Sequence, residues 1–302
     1  MKLSLNQFEI LTLIEREQEE KLTQREIAKK CQISLGIVNK ILAELVDLEL
    51  IKPMENSRYM VTLKGYEWLE PYRVKKAIFM AAGFGSRMVP VTLNTPKPLI
   101  KVHGKRIIET LIDAVLEVGI TDITIVRGYL GEQFDLLLKK YPMLKFVENP
   151  VYNEANNISS AYMVRDLLAN AYVLESDLLL YNKKVIRKYE YTTNYLGMSV
   201  DMTDDWCFET KGGYITKVKV GGEHVDHMFG ISYWTKEDAV KMEGDIASVY
   251  KSPGGKERYW DEVALTECKD NYKVWVRHVE KGDLVEIDTY NELKQIDPIY
   301  NV

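Results

Sequence analysis

Arg87 and Lys97 stand ten residues apart on a stretch stiffened by Pro90, Pro96 and Pro98, just after the turn Ala81-Ala82-Gly83-Phe84-Gly85. Glycines at a strand end let backbone N–H groups approach a ligand closely, and such groups bind phosphate oxygens well. Two cations on one stiff loop can grip a triphosphate from two sides. Further along, the apolar run 171–174 leads into Glu175-Ser176-Asp177, and 284–287 leads to Asp288. An apolar strand ending in acids beside a phosphate loop is where Mg²⁺ finds its one or two carboxylates, phosphate oxygens completing the shell. The chemistry these residues fit is the handling of a polyphosphate.

Three phosphate-loop patterns compete. A Walker loop needs Gly-Lys-Ser/Thr at its end, which is missing. A dinucleotide fingerprint needs a third glycine where Met88 stands and a helix directly after it, which the prolines forbid. What remains is G-x-G-x-R followed by P-x-T-x-x-x-P-K, on Gly83, Gly85, Arg87, Pro90, Thr92, Pro96 and Lys97. This resembles the nucleotidyltransferase family that joins NTPs to sugar phosphates or to phosphocholine and releases pyrophosphate. The resemblance implies that the backbone from Ala81 through Ala82, Gly83 and Phe84 to Gly85 lines base and ribose. Lys97 would hold the α-phosphate and incoming phosphate, and Arg87 the β- and γ-phosphates. Asp177 matches the metal-binding aspartate of the family's D-x-D, with Glu175 where its first aspartate is usual. A late E-I-D-T/S segment, here Glu286-Ile287-Asp288-Thr289, would supply the second Mg²⁺ ligand, Asp288. Taken alone, Asp288 reads as a helix N-cap.

These residues need two supporting units. At 302 residues the chain exceeds one comfortable core. Its 46% hydrophobic and 28% charged content describe an ordinary globular protein. No apolar run reaches the roughly 18 residues of a membrane span. The first residues lack a signal-peptide pattern, so a cytoplasmic protein is expected. Cys31, Cys207 and Cys268 have no metal or disulfide spacing. His224 and His227 read as a solvated pair on a loop. The net charge of −5 gives no general pull toward nucleic acid or anionic membrane.

Residues 1–73 read as a separate unit. An amphipathic helix spans about 5–19. Thr23 with Glu26 forms a capping box for the second helix, and Ser34 caps a third carrying Ile37, Val38, Ile41, Leu42 and Leu45. A hairpin follows through a polar turn at Glu55-Asn56-Ser57, its second strand reading on through Val61 to Gly65. This order resembles a winged helix-turn-helix of the MarR type, which implies DNA contact through Ser34, Asn39, Lys40, Arg25 and Arg58. Seven lysines and four arginines against twelve acids leave the unit at about −1, where DNA binding wants a basic footprint. DNA binding and a dimerisation or docking role both stay open, and a homo-oligomer is expected.

Residues 71–74 read as a hinge before a domain over 74–302. Strands at 77–80, 121–126 and 145–147 alternate with helices at 106–117 and 131–140, an α/β rhythm that predicts a doubly wound, mostly parallel sheet. Asn156, Asn157 and Ser159 open a helix reaching about Leu168, either as plain caps or as groups that hold the base or the acceptor.

Tryptophans beside carboxylates suit an ammonium ion, which gains from π-faces. Trp206 follows Asp204 and Asp205, Trp234 ends a strand, and Tyr259-Trp260-Asp261 opens a helix. Residues 76–288, about 70% of the chain, resemble the phosphocholine cytidylyltransferase branch in order and spacing. That resemblance implies CTP and phosphocholine as substrates, with Trp206, Trp234, Tyr259, Trp260 and Asp261 around the acceptor. A 2-aminoethylphosphonate acceptor would want more carboxylates and fewer rings. A sugar-1-phosphate transferase and a regulator that senses ligand through a transferase-like domain are the other readings.

Overall fold

The computed structural model describes residues 2–18, 22–55 and 58–301. Two compact units emerge: Met1–Arg73 with Tyr189–Tyr191, and Val74–Lys188 with Thr192–Val302.

In the first unit, α1 (Leu5–Arg16) starts at a Ser4–Gln7 capping box and stops three residues short of the expected Glu19, which lies outside the described residues. Helix α2 (Gln24–Lys30) carries the Thr23–Glu26 capping box, and the Ser34 side chain accepts from the Ile37 N–H at the start of α3 (Leu35–Asp47). Strands β1 (Ile51–Met54) and β2 (Arg58–Val61) pair antiparallel as the wing, with Ile51 opposite Val61. The turn residues Asn56 and Ser57 lie outside the described residues. The second strand ends at Val61 and does not run on to Gly65. Thr62 caps α4 (Leu63–Leu69) by accepting from the Gly65 N–H, and a Cβ on Gly65 would stand 2.3 Å from the Leu50 carbonyl oxygen. The expected hinge is anchored instead: Pro71 and Tyr72 lie in a 3₁₀ turn, and the Tyr72 hydroxyl accepts from the Leu3 N–H at 3.2 Å. Tyr191 stacks on Tyr72 at 5.5 Å and meets Phe8 at 5.3 Å.

The second unit is built on a seven-stranded sheet. Strand β3 (Lys76–Ala81) is central, and β4 (Lys101–Val102) with β5 (Lys105–Arg106) forms a small hairpin beyond it. Helix α5 (Ile107–Glu117) then crosses to β6 (Asp122–Arg127), which pairs parallel with β3, and β7 (Lys145–Glu148) pairs parallel with β6. On the other side of β3 lies β8 (Ala171–Glu175), also parallel. Ala77, Phe79 and Ala81 pack with α5 on one face, while Ile78 and Met80 pack with α6 (Ile158–Val164) on the other. Burial on both faces is why β3 reads as a continuous apolar run. The expected helix 131–140 is a 3₁₀ stretch, Gly131–Lys139, whose three-residue repeat buries Gly131, Phe134 and Leu137 together.

Short strand β9 (Leu178–Leu180) pairs with the late β13 (Leu284–Glu286) as a separate antiparallel ladder, Leu178 opposite Glu286. The long β10 (Asn194–Lys211) and β11 (Tyr214–Trp234) form a bulged antiparallel arm, and β11 pairs with β8 so that Ile231 faces Leu174. His224 and His227, expected on a loop, are strand residues of this arm. Helix α7 (Lys236–Lys251), strand β12 (Trp275–His278) and helix α8 (Tyr290–Ile296) complete the unit. Among the described residues, no helix is long and apolar enough to cross a membrane.

Candidate active site

The loop after β3 is held rigidly. Gly85 takes φ +67°, a conformation that favours glycine, and a Cβ there would press on Lys97 and Thr92 at 3.2 Å each. The Thr92 hydroxyl donates to the Gly85 carbonyl at 3.0 Å, and the Tyr129 hydroxyl donates to the Thr92 carbonyl at 2.8 Å. This bracing turns Lys97 inward, where it is 8% exposed, while Arg87 stays largely exposed.

The two cations meet the two expected aspartates. Lys97 Nζ lies 3.1 Å from Asp177 Oδ2 and 3.2 Å from Asp288 Oδ1. Arg87 grips Asp288 with two parallel bonds of 3.0 and 2.8 Å. Burial works against the Lys97 charge, yet Asp177 and Asp288 outweigh it and hold the ammonium above its ordinary pKa. The cap of α8 is not Asp288 but Thr289, whose side chain accepts from the Glu292 N–H.

The acidic cluster differs from the expected pair. One oxygen each from Glu175, Asp177 and Glu286 lie within 4.8 Å of one another. Burial, followed by the Asp177 charge, pushes both Glu175 and Glu286 well above the usual carboxylate range. Asp177 Oδ1 is buried without a hydrogen-bond partner among the described residues. Crowded hard oxygens, one of them unpartnered, suit a divalent cation such as Mg²⁺. Asp288, expected as the second ligand, has both oxygens engaged by Arg87 and Lys97. Sequence reasoning passed over Glu286, and no local signal marks it, since the pairing of β13 with β9 brings it to the cluster. The Ile287 N–H donates to the Asp177 carbonyl at 3.1 Å, which locks the late segment against the end of β8. Gly230 on β11 makes room for the longer Glu175 side chain, since a Cβ there would stand 2.3 Å from Glu175 Oε2.

These groups line a cavity of about 560 Å³. Ala81, Ala82, Gly83 and Gly85 form one wall, and Asn156, Asn157 and Ser159 join it. Phe84 does not line the cavity: it is 38% exposed and meets Tyr129 edge-on at 4.6 Å. Asn149, unassigned from sequence, is buried and donates to the Ser159 and Ser160 hydroxyls at 2.9 and 3.0 Å. Asn157 precedes α6 but makes no cap bond with its side chain.

Trp206 and Tyr259 meet edge-to-face at 5.8 Å, and Asp205, Asp261 and Glu262 line the same cavity. Burial raises the Asp261 carboxyl to about 6. Trp234 and Trp260, expected in the same cage, are core residues instead. They are 0% and 1% exposed and pack against each other at 5.9 Å among Met242, Ile246 and Val263. The polar neighbours of Trp260 misled: Tyr259, Asp261 and Glu262 line the cavity while Trp260 is buried in the core behind them. The segment after it is a π-helix, Val263–Glu267.

A glycine-braced strand-end loop, two converging cations and a carboxylate cluster at the strand ends define a nucleotide-transferring site, and the chain belongs to the nucleotidyl transferase family, whose model matches residues 76–205. The MarR family model matches residues 3–57, over the winged helix. Within the larger family the chain lies among the cytidylyltransferases. The 2-aminoethylphosphonate cytidylyltransferase of Lancefieldella rimae is 36% identical over 228 residues, 74% of this chain and 92% of that protein. The choline-phosphate cytidylyltransferase of Streptococcus pneumoniae is 35% identical over 74% of this chain and 97% of its own length. The solved CTP:phosphocholine cytidylyltransferase from Streptococcus pneumoniae superposes with a TM-score of 0.69 at 34% identity, over 75% of this chain and 99% of that one.

Proposed function

We propose that the second unit transfers a cytidylyl group from CTP to the phosphate oxygen of a small ammonium-bearing acceptor, phosphocholine first, and releases pyrophosphate. The observation that carries this reading is Lys97, held between Asp177 and Asp288 in a cavity lined also by Trp206, Tyr259 and further carboxylates.

The acceptor's phosphate oxygen attacks the α-phosphorus of CTP in line. The new P–O bond forms as the bond to the β-phosphate oxygen breaks, and pyrophosphate leaves. A phosphate is already ionised near neutral pH, so positioning and charge stabilisation are the protein's work. Lys97 donates to the α-phosphate and incoming oxygens, Arg87 to the departing pyrophosphate. Glu175, Asp177 and Glu286 would hold Mg²⁺, which supplies charge neutralisation on the phosphates when bound. Ala81, Ala82, Gly83 and Gly85 line base and ribose, and Asn149 holds Ser159 and Ser160 in place.

A second reading, 2-aminoethylphosphonate as acceptor, draws support from the same acceptor residues. Two are rings, not four, and three are carboxylates, the balance a primary ammonium favours. Pyrophosphate release with CTP and Mg²⁺ is the test, comparing phosphocholine, 2-aminoethylphosphonate and glucose-1-phosphate. Release with phosphocholine alone supports the first reading, and release with the phosphonate alone replaces it with the second. Silence with all three removes both.

Asp261 gives this proposal a pH signature. With its pKa raised to about 6, the carboxyl protonates as pH falls through that value and stops compensating the acceptor's cation. Acceptor KM should therefore rise about tenfold per unit below 6 from this group. The acceptor's own phosphate titrates near 6 as well, so Asp261→Asn is the control. Its acid limb should be shallower by one proton, and an unchanged limb would remove Asp261 from the acceptor site.

For the first unit we propose DNA contact through α3 and the wing. Arg25, Ser34, Asn39, Lys40 and Arg58 are all exposed, and the MarR match supports this reading. Binding of duplex DNA that does not weaken with added salt would speak against it.

A further inference from the structure

Asn157 was expected to touch the nucleotide, but its side chain is spent elsewhere. Its Oδ1 accepts from the Trp260 N–H at 2.8 Å, and its Nδ2 donates to Glu175 Oε1 at 3.3 Å. Trp260 sits between Tyr259 and Asp261, both lining the cavity, and Glu175 belongs to the carboxylate cluster. The neighbouring Asn156 adds to the same attachment: its N–H donates to the Lys256 carbonyl at 2.7 Å and its Nδ2 to the Glu257 carbonyl at 3.1 Å. Three bonds from two adjacent asparagines thus reach residues 256–260. That segment begins after Gly254, in a left-handed conformation at φ +73°, and passes through a single 3₁₀ turn, Gly255–Glu257. The Tyr259 N–H donates to Glu262 Oε2 at 2.7 Å and the Tyr195 hydroxyl to Asp261 Oδ2 at 3.3 Å, and the asparagine bonds add the link to the loop before α6.

We propose that Asn157 is a positioning residue for the acceptor, tying the wall that carries Tyr259 and Asp261 to the carboxylate cluster, and that it makes no contact on which nucleotide affinity depends. This rests on the cytidylyltransferase reading for its kinetic consequences but not for its structural one. An amide is suited to the task because one end accepts and the other donates. The tie places acceptor and metal-side groups in one register, so removing it misaligns the acceptor most.

Two variants and two readouts test it. Asn157→Ala should raise acceptor KM about tenfold, the loss expected of one or two hydrogen bonds, with CTP KM changed less than about twofold. Independently of activity, trypsin should cut faster after the exposed Lys256 and Arg258 in Asn157→Ala. Asn157→Asp keeps the oxygen that accepts from the Trp260 backbone N–H but loses the donor to Glu175, so its cleavage should fall between wild type and Asn157→Ala. A raised CTP KM with normal acceptor KM would overturn the proposal and restore the nucleotide contact. Equal cleavage of wild type and Asn157→Ala would overturn the attachment itself. If no acceptor supports turnover, the cytidylyltransferase reading fails while the cleavage comparison still decides the attachment.

Discussion

Turnover in Lys97→Ala falls about 10²–10³-fold, the usual cost of deleting one preorganised group that stabilises charge in the transition state. Pyrophosphate release at saturating CTP and acceptor measures it, and a loss below about fivefold would deny Lys97 its role. The buried setting of Lys97 extends the effect to folding. Lys97 is the cation that separates Asp177 from Asp288, with Glu175 and Glu286 close by. Removing one partner of a buried ion pair typically costs about 3–5 kcal/mol. Melting temperature in EDTA should therefore drop, and Mg²⁺ should recover much of it by supplying the missing positive charge. A drop that Mg²⁺ leaves unrelieved would mean the cluster does not bind the ion.

Asp177→Asn gives the second large effect. Its Oδ1 is buried with no hydrogen-bond partner among the described residues, and Asp177→Asn would remove a hard anionic donor from the cation. Metal-derived charge stabilisation is worth several kcal/mol, so turnover should fall about 10³-fold. Mg²⁺ affinity, read by calorimetry without acceptor, should weaken in parallel. Full activity in EDTA, or unchanged Mg²⁺ affinity in the variant, would be incompatible with a metal at this cluster.

How legible the site was depends on the kind of signal each residue carried. Lys97, Asp177 and Asp288 could be grouped from sequence because chemistry constrains residue type and spacing together, and the fold brings all three into one cavity. Glu286 joins Glu175 and Asp177 only through the pairing of β13 with β9, which no local pattern announces. Trp260 was misread because sequence neighbours report polarity, while side-chain direction follows from the turn that precedes the π-helix. Asn157 looked like a cap, and only the fold brings Glu175 and Trp260 to its two ends. The winged helix was readable from Thr23 and Ser34, since caps act locally. At Thr62 the local capping bond ends a strand that β-propensity alone would extend. The segment 131–139 shows the limit of period counting, because three apolar residues spaced by three span only about 120° of an α-helix and so read as a helical face too.

Tyr189–Tyr191 has a practical bearing on how the protein can be taken apart. The seam suggested by the order of the chain falls between Arg73 and Val74, yet cutting there strands these three residues in the wrong fragment. A shortened gene ending at Arg73 would yield a winged helix with the rings of Phe8 and Tyr72 stripped of Tyr191. The complementary fragment would carry orphaned tyrosines and tend to clump. Dissection therefore calls for a graft, with the tripeptide re-supplied through a linker, not for scissors alone.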